Sequence, residues 1–331
     1  MTGGAVGTRP VVTVTLNPAI DQTITVDALK PGSVHRARAV RHNAGGKGVN
    51  VASCLADWGT PVVATGLLGT GNAAPFEALF AAKGIADAFL RLPGETRVNI
   101  KIADLAANDT TDINLPGLSA DADAVPRVRE TVLGLAEPGV PVLLAGSLPD
   151  GVPADAYATL TAELTAAGCR VVLDSSGAPL AAALASTGAL PYCIKPNRHE
   201  LEDWAGRPLP TDADLLDAAR GLHRRGVAVV VVSLGADGAL FVGGEGDDEG
   251  AVHGRLPPVA ALSTVGAGDA MVAGLIAGFL QGDGQPGGGL ETVARLSVAF
   301  AAAKLGRFGP NLPDAATVRA LAAQVTLSTL A

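Results

Sequence analysis

The sequence predicts an α/β fold: a mostly parallel sheet covered by helices on both faces, with a small β-sheet lid inserted into it. Short apolar, β-branched runs recur at residues 11–16, 62–67, 142–145, 171–173, 193–195 and 229–233. Helical patterns lie between them, at 48–58, 75–83, 154–167, 213–225, 270–280 and 293–305. Two further stretches alternate with period two instead.

The strand assignments rest on runs apolar at every position, as in the four valines from Val229 to Val232. A strand with only one buried face alternates; one covered on both faces does not. Strand–helix alternation then argues for parallel pairing through helical crossovers, with ligands beyond the carboxyl ends of the strands. The period-two stretches, Thr23-Ile-Thr-Val26 and Arg97-Val-Asn-Ile-Lys-Ile102, read as extra antiparallel strands with one exposed face. Segments 21–41 and 96–114 are expected to form the lid on a single domain spanning residues 1–331. Gly- and acid-rich stretches at 243–250 and 282–289 read as surface loops.

Of the 331 residues, 48% are hydrophobic and 17% charged, which fits a globular chain. A net charge of −8 with no evident basic face argues against a nucleic-acid partner. Cys54, Cys169 and Cys193 have no metal or C-x-x-C spacing, so buried reduced thiols are expected. The first ten residues lack an apolar signal core, and no run approaches the roughly 18 apolar residues of a membrane span. A cytoplasmic protein with no membrane partner is the expectation.

Ser263-Thr-Val-Gly-Ala-Gly-Asp-Ala-Met-Val-Ala-Gly274 puts an acid directly after a small-residue turn that opens an apolar helix. Gly266, Ala267 and Gly268 let backbone amides approach a ligand, and the positive end of the helix dipole favours an anion there. Asp269 beside that cradle is placed to take a proton from an alcohol. The competing reading is an acid that merely complements the helix dipole.

Asn43-Ala-Gly-Gly-Lys-Gly-Val-Asn50 also exposes amides before a helix, although it is not a Walker A loop. Lys47 offers a point charge to a phosphate and Asn50 a hydrogen bond to a hydroxyl; a flexible turn with a solvated lysine is the plainer alternative. In Asn17-Pro-Ala-Ile-Asp21 an acid follows the first strand, as a hydroxyl acceptor or a turn residue. In Lys195-Pro-Asn-Arg-His-Glu200 the spacing of Asn197 and Glu200 fits either a helix N-cap or water-mediated Mg²⁺ binding. Ala145-Gly-Ser-Leu-Pro149 and Leu173-Asp-Ser-Ser-Gly177 bring small polar residues to strand ends. Ser233-Leu-Gly-Ala-Asp-Gly238 reads as a hairpin turn or a nucleotide-lining loop. There is no G-x-S-x-G elbow, and Gly66, Gly69 and Gly71 make a poor dinucleotide fingerprint.

Together these segments resemble the ribokinase-like (PfkB) sugar kinases. The resemblance rests on Gly45-Gly-Lys-Gly-Val-Asn50, Lys195-Pro-Asn-x-x-Glu200 and Val265-Gly-Ala-Gly-Asp269, in that order, and spans about residues 11–303. It implies the ribokinase-like three-layer α/β/α fold, ATP and Mg²⁺ as cofactors, and a sugar phosphate as acceptor. Thr15-Leu-Asn-Pro-Ala-Ile-Asp21, Thr96–Lys101 and Thr111–Gly117 look most like the branch acting on fructose 1-phosphate at its 6-hydroxyl. Tagatose 6-phosphate and fructose 6-phosphate are the alternatives within the family, and a non-catalytic sugar-phosphate sensor the alternative outside it.

The resemblance also assigns roles. Asp269 is implied as base, with Gly266, Ala267 and Gly268 as anion hole. Asp21, Gly45, Gly46, Asn50, Asn99 and Asp174 line the sugar, and Lys47, Arg97 and Ser147 hold its phosphate. Lys195, Asn197, Ser233, Gly235, Thr264, Gly266 and Gly268 lie along the nucleotide, and Glu200 meets Mg²⁺ through water. After Leu305 the pattern Gly-Arg-Phe-Gly-Pro310 aligns with nothing in the family, leaving the adenine pocket and a monovalent-cation site open. A homodimer through the lid is expected.

Overall fold

The computed structural model describes residues 9–107, 109–121, 123–243, 250–257, 265–281, 289–307 and 309–330. In chain order the elements are β1 (Val11–Thr15), β2 (Ala19–Val26), β3 (Ala39–Gly45), α1 (Lys47–Trp58), β4 (Val62–Gly69), α2 (Ala74–Lys83), β5 (Ala86–Asp87), β6 (Leu90–Leu92), β7 (Val98–Asp104) and β8 (Asp109–Ile113). Then follow α3 (Ala124–Leu135), β9 (Pro141–Ala145), α4 (Ala156–Ala166), β10 (Arg170–Asp174), α5 (Gly177–Ala185), β11 (Cys193–Ile194), α6 (Arg198–Ala205), α7 (Asp212–Arg224) and β12 (Val229–Ser233). The chain continues through β13 (Ala239–Gly243), β14 (Gly250–Arg255), α8 (Ala267–Gln281), α9 (Gly289–Leu305), α10 (Ala315–Gln324) and β15 (Thr326–Thr329).

The large sheet runs β15-β14-β13-β12-β11-β10-β9-β1-β4-β5, with β6 also on β4. From β12 through β4 every pairing is parallel, and β13, β14 and β15 add an antiparallel edge. The uninterrupted apolar runs account for the layering. Successive residues point to opposite faces, so Leu143 and Val231 join the core under α1, α8 and α9. Leu144 and Val230 join the second core, under α3, α4 and α7. Every residue of β1 and β9 is buried.

The small sheet has the order β3-β2-β7-β8. It falls on the segments expected to form the lid, with one correction. The flanking pairs are antiparallel, but the central pair β2–β7 is parallel, with Asp21 opposite Asn99 and Thr23 opposite Lys101. The physical reason is topological. β2 follows β1 directly and β7 follows β6; β1 and β6 both lie parallel to β4, so both chain segments leave the large sheet at the same end.

All six expected strands and all six expected helices are present within a few residues. The segment 233–238 is the hairpin turn between β12 and β13, with Ser233 paired to Ala239. Of the two expected loops, residues 244–249 and 282–288 lie outside the described residues. The sequence reading did not name α3, α5 or α10; α5 and α10 are rich in alanine with few large apolar residues, whereas Val125, Val128, Val132 and Leu135 of α3 do recur at helical spacing and were a usable signal. All three cysteines are free and buried, and burial pushes the Cys54 thiol up to about 12. Among the described residues, no helix is long and apolar enough to cross a membrane.

Candidate active site

Four chain segments converge at the carboxyl ends of β1, β10 and β11. The first is the start of α1, where Gly46 adopts φ +106° and Lys47 is the first helical residue. At Gly45 a Cβ would stand 2.9 Å from the Asp21 carboxylate and 3.2 Å from the Ala19 carbonyl, so any larger residue there would push that acid aside. The second segment is the end of β10, where Asp174 is buried. Lys195, just past β11, is the third. The fourth is the start of α8, where Gly266 takes φ +81° and Asp269 falls in the first helical turn. The amides of that turn have no intrahelical acceptor, and they point out of the helix with its positive dipole end.

These side chains form one charged network. Asn50 Nδ2 donates to Asp269 Oδ2 at 2.7 Å. Lys47 Nζ lies 3.2 Å from Asp174 Oδ2, and Lys195 Nζ lies 3.5 Å from Asp174 Oδ1. Lys195 is among the few buried charged residues of the protein. The two carboxylates titrate in opposite directions. Burial acts against ionisation of Asp174, but Lys195 and Lys47 outweigh it and hold the group below the usual carboxylate range. Asp269 is raised to about 6, first by burial and then by the negative charge of Asp174, against the pull of Lys47, Asn50 and Lys195. A partly solvent-open carboxylate poised near neutrality, beside fixed amides, can accept a proton and still remain an anion at neutral pH.

Of the residues expected to meet the sugar phosphate, Asp21 and Asn99 lie on the small sheet, Arg97 just before β7, and Ser147 just past β9 of the large sheet. Asp21 faces Lys101, whose Nζ is 3.9 Å from Asp21 Oδ1 and 3.5 Å from Asp112 Oδ1. Burial raises the Asp21 pKa, while Lys101 and a hydrogen bond from Asn99 pull it down. Asn99 Oδ1 is buried without a hydrogen-bond partner. Ser147 accepts a hydrogen bond from Asn17 Nδ2 at 3.1 Å. Arg97 donates to the carbonyls of Asn17 at 3.1 Å, Pro18 at 3.3 Å and Leu115 at 3.4 Å. It therefore clamps the junction before β2 to the chain after β8.

At the other end Asn197 and Glu200 form a reciprocal capping box on α6, with both hydrogen bonds at 2.9 Å. The helix-cap reading of this motif is therefore real. One Glu200 oxygen, Oε2, is used in it, and Glu200 is still close enough to act electrostatically on Lys47. Asn197 and Ser233 form an isolated parallel bridge, and Gly235 takes φ +63°. Asn197, Ser233, Leu234, Asp237 and His253 line a cleft of about 880 Å³. Thr264 lies outside the described residues. No group of three His, Cys, Asp or Glu side chains suited to a metal occurs among the described residues. Mg²⁺ characteristically keeps most of its ligands as water and phosphate oxygens, and a single carboxylate such as Glu200 is compatible with the metal role expected of it.

Sequence reasoning named Lys101 and Asn17 only within motifs and gave neither a role. The first had a usable signal: in an alternating strand Asn99 and Lys101 share a face, and Asp21 joins them once β2 and β7 pair. Asn17 gave none for its partner, because the Asn17–Ser147 contact spans 130 positions.

A raised carboxylate at a turn of free amides, with two lysines close by in a three-layer α/β/α fold, fits a group-transfer enzyme acting on an alcohol near an anion. The comparisons with known proteins give the class its family. Residues 14–317 match the model for the pfkB family carbohydrate kinases, and the chain belongs to that family. It is 53% identical over 295 residues to a 1-phosphofructokinase of Xanthomonas campestris pv. campestris, covering 89% of this chain and 90% of that one. It is 46% identical over 324 residues to the 1-phosphofructokinase of Rhodobacter capsulatus, covering 98% and 99%. Among solved structures it is similar to phosphofructokinase-2 from Escherichia coli in complex with potassium. That similarity has a TM-score of 0.85 at 30% identity, over 95% of this chain and 98% of that one.

Proposed function

We propose that this carbohydrate kinase transfers the terminal phosphoryl group of ATP to the 6-hydroxyl of fructose 1-phosphate, giving fructose 1,6-bisphosphate and ADP. The observation that carries the reading is Asp269, raised to about 6 and held by Asn50 at the amide cradle that opens α8. The relatives named 1-phosphofructokinase, at 53% and 46% identity, support the choice of sugar.

In this reading the small sheet holds the sugar phosphate. Asp21 and Asn99 accept or donate to its hydroxyls, Asn50 and Asp174 complete the sugar pocket, and Lys47, Arg97 and Ser147 meet its phosphate. The 6-hydroxyl points at Asp269. As its oxygen bonds to the γ-phosphorus of ATP, its proton passes to Asp269, and the bond to the β-phosphate oxygen breaks with its electrons staying on ADP. The amides of residues 266–268 stabilise charge on the transferring group. Lys195 lies on the nucleotide phosphates, with Asn197, Ser233 and Gly235 along the cleft. Mg²⁺, when bound, neutralises phosphate charge, and Glu200 holds it through water. With ATP as co-substrate, the enzyme works in the cytoplasm.

The small sheet acts as a lid that excludes water from the transfer. Val40, Leu105 and Ile113 are 48%, 54% and 44% exposed on or beside it. Covering that apolar surface favours a homodimer through the lid. The deciding experiment is an ADP-coupled assay on fructose 1-phosphate, fructose 6-phosphate and tagatose 6-phosphate. The expected kcat/KM is far higher for the first, because the pocket fixes the distance from phosphate to reacting hydroxyl. Equal values for the three would overturn the substrate assignment, and no turnover of any would overturn the reading.

A further inference from the structure

We propose that a cavity at the far end of α1 and α8 from Asp269 is a second binding site, for a small organic phosphate monoester. Trp58 at the end of α1, Gln281 at the end of α8, Arg295 and Leu296 of α9, and Arg319 and Ala322 of α10 line a space of about 480 Å³. α1 starts at Lys47 and α8 at Ala267. At about 1.5 Å of rise per residue, the cavity lies roughly 16–21 Å along these helices from their active-site ends. It is therefore separate from the site around Asp269 and from the cleft beside Asn197.

Two arginines give this cavity its character, in a chain of net charge −8. Among the described residues neither Arg295 nor Arg319 has a carboxylate at salt-bridge distance, whereas Arg91, Arg129 and Arg207 each do. Both are held by neutral partners instead. Arg295 Nη1 donates to the carbonyl of Val325 at 2.6 Å. The Arg319 guanidinium lies over the Trp58 ring, 4.6 Å from its centroid. Trp58 is itself braced edge-on by Phe300, with ring centroids 5.2 Å apart. A guanidinium presents five N–H donors in one plane. A single carbonyl and a ring face leave most of them for a ligand, and side chains already held in place lose little freedom when it arrives.

Two such groups suit a doubly charged anion. A phosphate monoester carries roughly 1.5 to 2 negative charges at neutral pH, and guanidinium groups meet its oxygens in pairs. A monocarboxylate would leave one of the two positive charges unmet. The size of the cavity calls for more than the anion. A water takes about 30 Å³ in the liquid, so a bare phosphate would leave most of the space to solvent. Leu296 and Ala322, with the indole of Trp58, supply carbon surface for the organic part of an ester, and Gln281 supplies an amide for its hydroxyls.

The test reads Trp58. The chain has two tryptophans, Trp58 and Trp204, so in Trp204→Phe the indole emission reports on this cavity. Ribose 5-phosphate in low-salt buffer should change that emission saturably, and calorimetry should return the same Kd. Arg319→Ala, at an exposed position, should raise the calorimetric Kd by roughly 10- to 150-fold, and Arg295→Ala likewise. Arg97→Ala, in the proposed sugar pocket, should leave it unchanged. Inorganic phosphate and succinate should both bind more weakly. A silent Trp58 overturns the proposal, as does a Kd that follows Arg97 and ignores Arg319. Inorganic phosphate binding as tightly as the ester would show that the organic part is not recognised, and tighter binding of succinate would make this a carboxylate site; either result overturns the monoester. Should Arg295→Ala fail to fold, Arg319→Ala decides alone.

Discussion

The two sheets of this protein are made of similar strands put to opposite uses. In the large sheet the eight residues of β4 are all buried; in the small sheet the five residues of β8 are all exposed. Valine and leucine at consecutive positions commit a strand to two covered faces, and the helices on either side then fix its ends rigidly. β8, with four of its five residues polar, stays open to a ligand, a second subunit or water. The base and the amide cradle sit on helices packed against the first kind of sheet. Asp21, Asn99 and Lys101 sit on the second. On the proposed function, the reacting atoms fall to the stiff layer and recognition to the open one.

The largest effect should come from the stiff layer. Asp269→Asn keeps the shape but cannot accept the proton, and kcat should fall by roughly 10²–10⁴-fold in a steady-state assay. The same variant should be more stable than the wild type. A carboxyl raised to about 6 favours folding in its protonated form, so that stability is full below its ordinary pKa of 3.8 and lost as pH rises through about 6. At neutral pH the ionised group costs on the order of 1–3 kcal/mol, and asparagine removes the cost. Wild-type kcat/KM should accordingly decline below about pH 6 as Asp269 takes a proton. Near-normal kcat in the variant would move the base elsewhere.

Next in size is packing. Leu144→Ala empties a site buried between β9 and the helices on one face of the large sheet, and denaturant unfolding should register a loss of about 2–5 kcal/mol. Arg97→Ala should come third. A charged hydrogen bond is worth roughly 1.5–3 kcal/mol, so KM for the sugar phosphate should rise about 10- to 150-fold while KM for ATP stays put. A variant that loses stability with both KM values intact would leave Arg97 only its clamp on Asn17, Pro18 and Leu115. The smallest effect should be Ile113→Ala on the open sheet, within about 0.5 kcal/mol of the wild type in monomer stability but weakening self-association in sedimentation velocity. A core-sized loss there would erase the contrast between the sheets.

Much of this was legible in the residues. Asn50, Lys47, Asp174, Lys195 and Asp269 were each singled out from turns at strand or helix ends, and the fold brings all five together. Those positions are readable because glycine, proline and a following helix mark where a strand ends. The parallel pairing of β2 and β7 was not readable, since an alternating strand looks the same in either direction. Nor were α5 and α10, whose packing depends on the neighbours they meet.

The sequence by itself determined the layers, because continuous apolar runs have no stable arrangement other than between two covers, and it determined the chemistry-bearing turns. Only the tertiary structure decided how those turns titrate. Asp174 and Asp269 are the same side chain at two strand and helix ends, yet one is held low by two lysines and the other raised to about 6. Charge and burial are properties of neighbours in space, and neighbours across hundreds of residues are set by packing and by no local pattern.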